Sequence, residues 1–453
     1  MKKLLNIYII TLVLFAIVSC THQGAAKPWS QQNYTPHFSP PSDQIELNQS
    51  KTVAISANIS LNKLKQIAAL SNAGLKAAYL KWQSELLKVY AAGTLPDPQV
   101  SFTHYIDEVE TRVGPQKQAI SVMQKFPWFG KLDLKKAMQT HSARAAKESY
   151  EAIKLSLFKE IELLYFDFYY LQESLRIAEE NKGLLASFEP IARNLIKTGK
   201  SSADLLKVQV ELGKIQDQIS GLKLRWTPLK SRLNEILNQA QSEAIDLIAH
   251  LPERLPLNEE KLMWQVKNNP QVKAYDYKSE ALKNKVILAR KNSYPDFSLG
   301  FKYIRTDDSD MDVDDNGKDP IMATFGFTLP INQRKYRTLE ASANKELDSV
   351  RWSQLQHQRS LERRLSIAFF ELEDNERVLK LYRDTLIPKN KQSLTITQQA
   401  YRNGKASFLD LIDIQRQLLA FQLMEQRSLS NIFKQEALIR ELTSPSLDDK
   451  ELN

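Results

Sequence analysis

The chain has 453 residues, 42% of them apolar, and a formal charge of +9 from 62 lysines and arginines against 53 acids. That is enough apolar content for a sizeable core, and the two charge signs are interspersed without a basic block, which argues against a nucleic-acid partner. Only 13 glycines and 18 prolines punctuate the chain, so unusually long helices are expected in place of alternating short elements.

Lys2 and Lys3 precede an apolar run from Leu4 to Val18 that ends at Ser19 and the chain's one cysteine, Cys20. The run is too short for a comfortable membrane span and reads as a secretion signal. Ile17-Val18-Ser19-Cys20 resembles a bacterial lipobox, which makes Cys20 the expected lipidation site and mature N-terminus. A lone exported cysteine has no disulfide partner. Residues 20–60 are polar and proline-rich and read as an extended arm. No later stretch has enough continuous apolar residues for a membrane-spanning helix.

From Leu61 onward the same order of features occurs twice, roughly 200 residues apart. The expected organisation is a signal peptide at 1–19, the arm at 20–60, a first repeat at 61–241, a linker at 242–257, a second repeat at 258–443 and a tail at 444–453. In each repeat an amphipathic helix leads to an alternating segment, Pro98 to Ile106 or Pro295 to Ile304. A polar loop follows, then a second alternating segment, Ala119 to Phe126 or Met322 to Leu329. Alternation with flanking prolines predicts strands. The pairs end at Phe126-Pro127-Trp128-Phe129-Gly130-Lys131 and at Leu329-Pro330-Ile331-Asn332. At these strand-to-helix junctions Pro127 and Pro330 would end the ladder, Gly130 would relieve the bend, and Trp128 and Phe129 suit an interfacial belt.

Long helices are predicted next. Leu157, Ile161, Leu164, Phe168, Leu171, Leu175 and Ala178 fall in steps of four and three, as do Leu361, Leu365, Ala368, Leu372, Asn375, Leu379, Tyr382 and Leu386. That is coiled-coil spacing with one polar exception at Asn375. An incoming helix of about 65 residues would approach 100 Å. Each seam reaches a turn containing Gly199 or Gly404, where glycine can end a helix in the left-handed conformation. The first returning helix shows an unbroken seam from Leu205 to Ile236; the second holds its spacing from Leu411 to Phe421 and then loosens.

Four strands of about ten residues are long enough to cross a membrane, but too few to close a barrel, so a spanning barrel would need several copies of the chain. The other reading of the strands is a soluble four-stranded sheet capping a helical bundle.

With the duplicated helix-strand-strand-helix-helix unit, the lipobox and Tyr401-x-x-Gly404 before the last helix, the chain resembles the TolC-type outer membrane efflux factors over nearly its whole mature length. The resemblance implies a mainly α fold with a small β part: long helical hairpins forming a periplasmic α-barrel, and four strands per chain contributing to a twelve-stranded transmembrane β-barrel in a homotrimer. It implies an outer-membrane channel, lipid-anchored, working with a periplasmic adaptor protein and an inner-membrane pump, with no cofactor beyond the lipid on Cys20. The Phe126–Lys131 segment looks like the junction of the heavy-metal resistance branch. Asp410 and Asp413 match the family's constriction rings, and their three-residue spacing puts both on one helical face. The bland alternative is two solvated acids at a helix start, where the macrodipole favours them. In the first half Asp204 follows Gly199, but Lys207 stands where a second acid would be. By resemblance, the turns at Gly199 and Gly404 are the expected points of contact with an inner-membrane pump or its periplasmic adaptor.

An enzyme is not expected. The six histidines, at 22, 38, 104, 141, 250 and 357, never pair at metal-ligand spacing, and no phosphate loop or nucleophile elbow appears. Within the acidic loop Asp307–Asp319, Asp312-x-Asp314-x-Asn316-Gly317 opens like a calcium-binding loop, but its closing position falls on Ala323 and a standard site fails. The alternative to a channel is a coiled-coil lipoprotein scaffold or periplasmic adaptor, which leaves the four strands without a purpose.

Overall fold

A computed structural model describes residues 59–197, 202–245, 247–254, 256–311 and 313–443. The expected signal peptide, Cys20, Gly199 and the C-terminal tail lie outside these residues.

The first repeat opens with α1 (Leu61–Ser71) and α2 (Ala73–Ala92). Asn72 between them caps α2, its Oδ1 accepting from the Leu75 N–H at 2.9 Å. Its Nδ2 donates to the Ile236 carbonyl at 2.9 Å, which ties the start of the repeat to its end. The second repeat opens with α7 (Glu259–Gln265) and a 3-10 turn, followed by α8 (Pro270–Lys291). Asn269 caps α8 in the same way and donates to the carbonyls of Glu441 and Leu442 at 3.0 and 3.1 Å. The duplication thus extends to a side-chain clasp that closes each repeat.

Between those openings come the strands β1 (Gln99–Val109) and β2 (Gln116–Phe126), with β3 (Asp296–Thr306) and β4 (Ile321–Thr328) in the second repeat. They form one antiparallel sheet in the order β1-β2-β3-β4. Register follows the alternation: Phe102 faces Ile120, Ile120 faces Tyr303, and Tyr303 faces Ile321. One face therefore carries Val100, Phe102, Val122, Leu299, Phe301, Phe325 and Phe327. The other carries Ser101, Thr103, Ser121, Ser298, Lys302, Thr324 and Thr328, with Ser101 and Ser121 hydroxyls 2.7 Å apart. Strands β1 and β2 are longer than their alternation alone predicts, because the register shifts by a bulge between His104 and Val109 and pairing continues beyond it.

The first incoming helix, α3 (Lys131–Ala186), has 56 residues, about 84 Å of rise. It is shorter than the rod read from the seam, and α4 (Glu189–Lys197) continues it after a break. The first returning helix is likewise split into α5 (Ala203–Leu224) and α6 (Trp226–Ile236), although its apolar spacing is unbroken. Proline explains both. Its ring collides with the carbonyl four residues earlier, and Ala186 and Leu224, the last residues of α3 and α5, stand four before Pro190 and Pro228. In the second repeat α9 (Gln333–Leu381) passes through a π turn at Tyr382–Leu386 into α10 (Ile387–Arg402). Pro388 stands four after Asp384, inside the π turn, whose extra residue absorbs the clash without ending the rod. The proline-free α11 (Phe408–Thr443) runs unbroken through the region where its seam loosens.

Helix α2 packs on α3, α3 on α8 and α8 on α9, the same order as the strands they adjoin. Farther from the sheet, α11 packs against α3, α9 and α10, and α5 against α3. The seam residues Leu157, Ile161, Leu164, Phe168, Leu361, Leu365, Ala368 and Leu372 are all buried. Asn375 is not: its side chain donates to the Glu371 carbonyl and accepts from Asn431. Buried Glu162 is paired with Lys65 and Arg440, and buried Glu441 with Lys159 and Arg364 at 3.2 Å each. Each of these carboxylates meets two cations, which satisfies the requirement for burying charge. No described helix is long and apolar enough to cross a membrane.

Candidate functional site

Two places concentrate the predicted site residues: the strand-to-helix junctions and the far ends of the helical hairpins. At the first junction, Pro127 follows the last residue of β2 and the Trp128 N–H donates to Asp296 Oδ1 at 2.9 Å. Lys131 Nζ donates to the same oxygen at 2.8 Å and to the Tyr294 carbonyl at 3.1 Å. The Trp128 ring stacks on Tyr294 with centroids 5.4 Å apart and leans on Phe297 at 5.6 Å. Gly130 has φ 76°, and a Cβ there would stand 2.7 Å from Lys291 Nζ, which donates to the Phe129 carbonyl at 3.0 Å. The junction therefore pins β2, β3, α3 and α8 at one point through a largely buried ion pair. Asp296 and Tyr294 carry no sequence pattern that singles them out, and Lys131, though it closes the junction segment, has none that names its partner.

The Pro330 junction is built differently. Leu329 and Ile331 are exposed, Asn332 caps α9 by accepting from the Lys335 N–H at 3.1 Å, and Gln333 Nε2 donates to the Pro330 carbonyl at 2.9 Å. It is a local turn without a cross-strand partner among the described residues.

At the hairpin end, Gly404 closes α10 with φ 73°. Its N–H donates to the Tyr401 carbonyl at 2.9 Å and the Lys405 N–H to the Ala400 carbonyl at 2.8 Å. This paired arrangement is a Schellman cap, which satisfies the helix's last carbonyls and requires the left-handed residue. Tyr401 itself is buried, and its hydroxyl reaches across to Asp204 Oδ2 on α5 at 3.3 Å. Burial, reinforced by the Asp204 charge, pushes the Tyr401 hydroxyl far above its usual pKa, so it stays a donor.

Asp410 and Asp413 lie on one exposed side of α11, opposite buried Phe408, Leu411 and Ile412. Their environments differ. Asp410 accepts from the Ser407 N–H at 3.1 Å while its own N–H donates to Ser407 Oγ at 3.2 Å, a reciprocal capping box. The Ser407-x-x-Asp410 spacing makes that role readable from sequence. Asp413 stands 3.6 Å from Arg416, whose guanidinium forks onto Glu211 of α5, Nε to Oε2 at 3.1 Å and Nη2 to Oε1 at 2.5 Å. The Arg416 hydrogen bonds hold the Glu211 carboxyl below its ordinary value against the opposing effect of burial. Lys207 sits 3.5 Å from Asp204. Two polar ties, Tyr401–Asp204 and Arg416–Glu211, thus fasten the end of the second hairpin to α5 of the first. Between them lies a groove of about 210 Å³ lined by Leu206, Val210, Phe408, Leu409 and Ile412. No group of three His, Cys, Asp or Glu side chains placed to hold a metal ion occurs among the described residues.

Residues 265–442 match the family model for outer membrane efflux protein. Over 371 residues, 80% of this chain and 84% of the relative, the sequence is 23% identical to the cobalt-zinc-cadmium resistance protein CzcC of Cupriavidus metallidurans. The fold is that of solved outer-membrane proteins. VceC of Vibrio cholerae superposes with a TM-score of 0.72 at 14% identity, covering 84% of this chain and 95% of that one. The outer-membrane channel OprN gives 0.72 at 16% identity, covering 90% and 98%.

Proposed function

We propose that this chain, whose second repeat is an outer membrane efflux protein domain, serves as the outer-membrane channel subunit of a tripartite efflux system, a homotrimer lipid-anchored through Cys20 that takes cargo from an inner-membrane pump through a periplasmic adaptor.

The observation that carries the reading is the two-faced sheet with two open edges. An apolar face of phenylalanine, leucine and valine suits lipid, and a face of serine, threonine and lysine suits a water-filled bore. Strands β1 and β4 run in opposite directions, so β4 of one copy can pair antiparallel with β1 of the next. Three copies supply twelve strands, enough to close a barrel that one chain cannot. An adaptor or scaffold has no use for such a sheet. At the other end, Asp410 and Asp413 of three copies bring six carboxylates together, an arrangement that attracts cations and repels anions. The likeness to a cobalt-zinc-cadmium resistance protein makes metal cations the cargo class we favour.

The test is conductance of the purified full-length protein in planar bilayers. Cation-preferring single-channel steps are expected. A trimer that never conducts, even with Asp410→Ala and Asp413→Ala together, would count against the channel.

A further inference from the structure

At the end of the strands away from the helices, the chain consists of the β1–β2 loop, residues 110–115, and the β3–β4 loop between Asp307 and Pro320. On the hydroxyl-bearing face of the sheet, Ala119, Ile304 and Thr306 are only 2%, 5% and 4% exposed. A single-layer sheet leaves both faces open, as Met123 farther along the same face is, at 39%. That burial is what chain lying over the outer end of this face produces. The buried Thr306 hydroxyl, on the covered face, has no hydrogen-bond partner among the described residues. The lipid-suited face is more open: Ile120, Ile321 and Phe301 are exposed there, although the Tyr303 hydroxyl on that face donates to Asp319 at the end of the loop.

The two loops are fastened into one body. The Asp307 N–H donates to the Pro115 carbonyl at 2.9 Å and the Gly317 N–H to the Val113 carbonyl at 2.7 Å. Gly114 has φ 118° and Gly317 φ 66°, and a Cβ on either would strike Asp307 or Asp308. Asn316 accepts from the Ser309 N–H at 2.6 Å and donates to its carbonyl at 2.9 Å. Some acids here are neutralised: Asp307 lies 3.7 Å from Lys117, and Asp315 lies 3.8 Å from Arg112. Asp308, Asp310 and Asp314 have no cationic partner among the described residues.

We propose that these loops form a fixed acidic cap folded into the bore, which narrows the outer mouth of the channel and gives it a cation preference of its own, separate from the hairpin ends. The proposal rests on the channel reading above, because it is the membrane that makes the hydroxyl-bearing face the inner one. Asp308, Asp310 and Asp314 alone put nine uncompensated carboxylates around one mouth in a trimer, in a confined space where their field is weakly screened. Hydrated cations are the ligand class this mouth admits, and anionic solutes the class it turns back.

The experiment is a reversal-potential measurement in a KCl gradient, in a Tyr401→Phe, Arg416→Ala background that releases the hairpin ties so that the mouth limits the current. Asp308→Asn, Asp310→Asn and Asp314→Asn together are expected to lower the cation-to-anion permeability ratio by about threefold or more. Asp310→Cys keeps the test independent of folding, since the charge is altered after assembly and Cys20 is the only native cysteine. A cationic thiol reagent added from the outer side should lower the ratio further, and an anionic one should restore it. A ratio indifferent to all three changes in a conducting trimer overturns the cap and leaves the channel standing. Absence of conductance in every form overturns the channel reading and the cap with it.

Discussion

The two polar ties from α5 to the α10–α11 end set a measurable threshold for separating these two hairpin ends. Tyr401→Phe removes a hydroxyl bond to a carboxylate that is long at 3.3 Å and contributes about 1 kcal/mol. Arg416→Ala removes a forked, charge-assisted bond to Glu211; because the Arg416 side chain is 49% exposed, solvent screening holds its contribution to about 1 kcal/mol. Asp204 and Glu211 are two helical turns apart and share no partner, so the effects should add, giving about 2 kcal/mol per chain. If three chains part together the double variant loses about 6 kcal/mol, which shifts the balance between joined and parted ends by about 10⁴. Each single variant should shift it by about a hundredfold. Open probability in planar bilayers reads this directly, with heat resistance of the trimer as the control for folding. A double variant whose trimer is intact but whose open probability equals that of the native protein would refute the ties as the element that holds the ends together.

Replacing Asp410 and Asp413 by alanine should enlarge conductance and weaken cation preference, and unchanged reversal potentials would sink the ring reading; loss of the capping box should also cost the start of α11 about 1 kcal/mol. Gly130→Ala forces a side chain onto a left-handed residue and toward Lys291, so the trimer should lose about 1–2 kcal/mol in thermal or urea unfolding, and a neutral result would show that the junction can rearrange. The Glu211 tie should respond to acid. Its carboxyl is held below the ordinary value while tied, so the released state takes up the proton first; the tie is complete above the ordinary carboxylate pKa and is lost as pH falls through the lowered one. Conductance of the native channel should therefore rise below about pH 4, and Glu211→Gln should abolish that acid response.

Much of this architecture is legible in the sequence because it is periodic. Steps of three and four name the buried seam from Leu157 to Phe168, alternation names both faces of the sheet, and Gly404 marks its own cap. What is not legible is aperiodic. The breaks at Ser187–Phe188 and Arg225 follow from single prolines that leave the apolar spacing intact, so a seam-based reading runs straight through them. The Asn72 and Asn269 clasps look like ordinary helix caps, and their second bond depends on a carbonyl 164 or more residues away. The Asp296–Lys131 pair needs the β2–β3 register before the two residues are neighbours. The inward fold of the outer loops has the same origin, since strand pairing is what brings residues 113–115 against 307 and 317. Asp410 shows the converse case, where one carboxylate satisfies a cap and lies on the side of α11 proposed to face a lumen, and sequence alone supports both readings.

The open edges of the sheet also dictate how such a protein can reach its membrane. In a lone chain β1 and β4 each present a row of unpaired amides and carbonyls, about twenty groups in all, and each would cost several kcal/mol in hydrocarbon. If the sheet spans a bilayer as proposed, no single chain can bear that penalty, and insertion becomes a collective event in which copies meet before or while they enter it. The rate of maturation should then depend steeply on the concentration of newly exported chains. A copy unable to offer its β4 edge should poison the assemblies it joins, so that a minority of defective subunits suppresses a majority of sound ones.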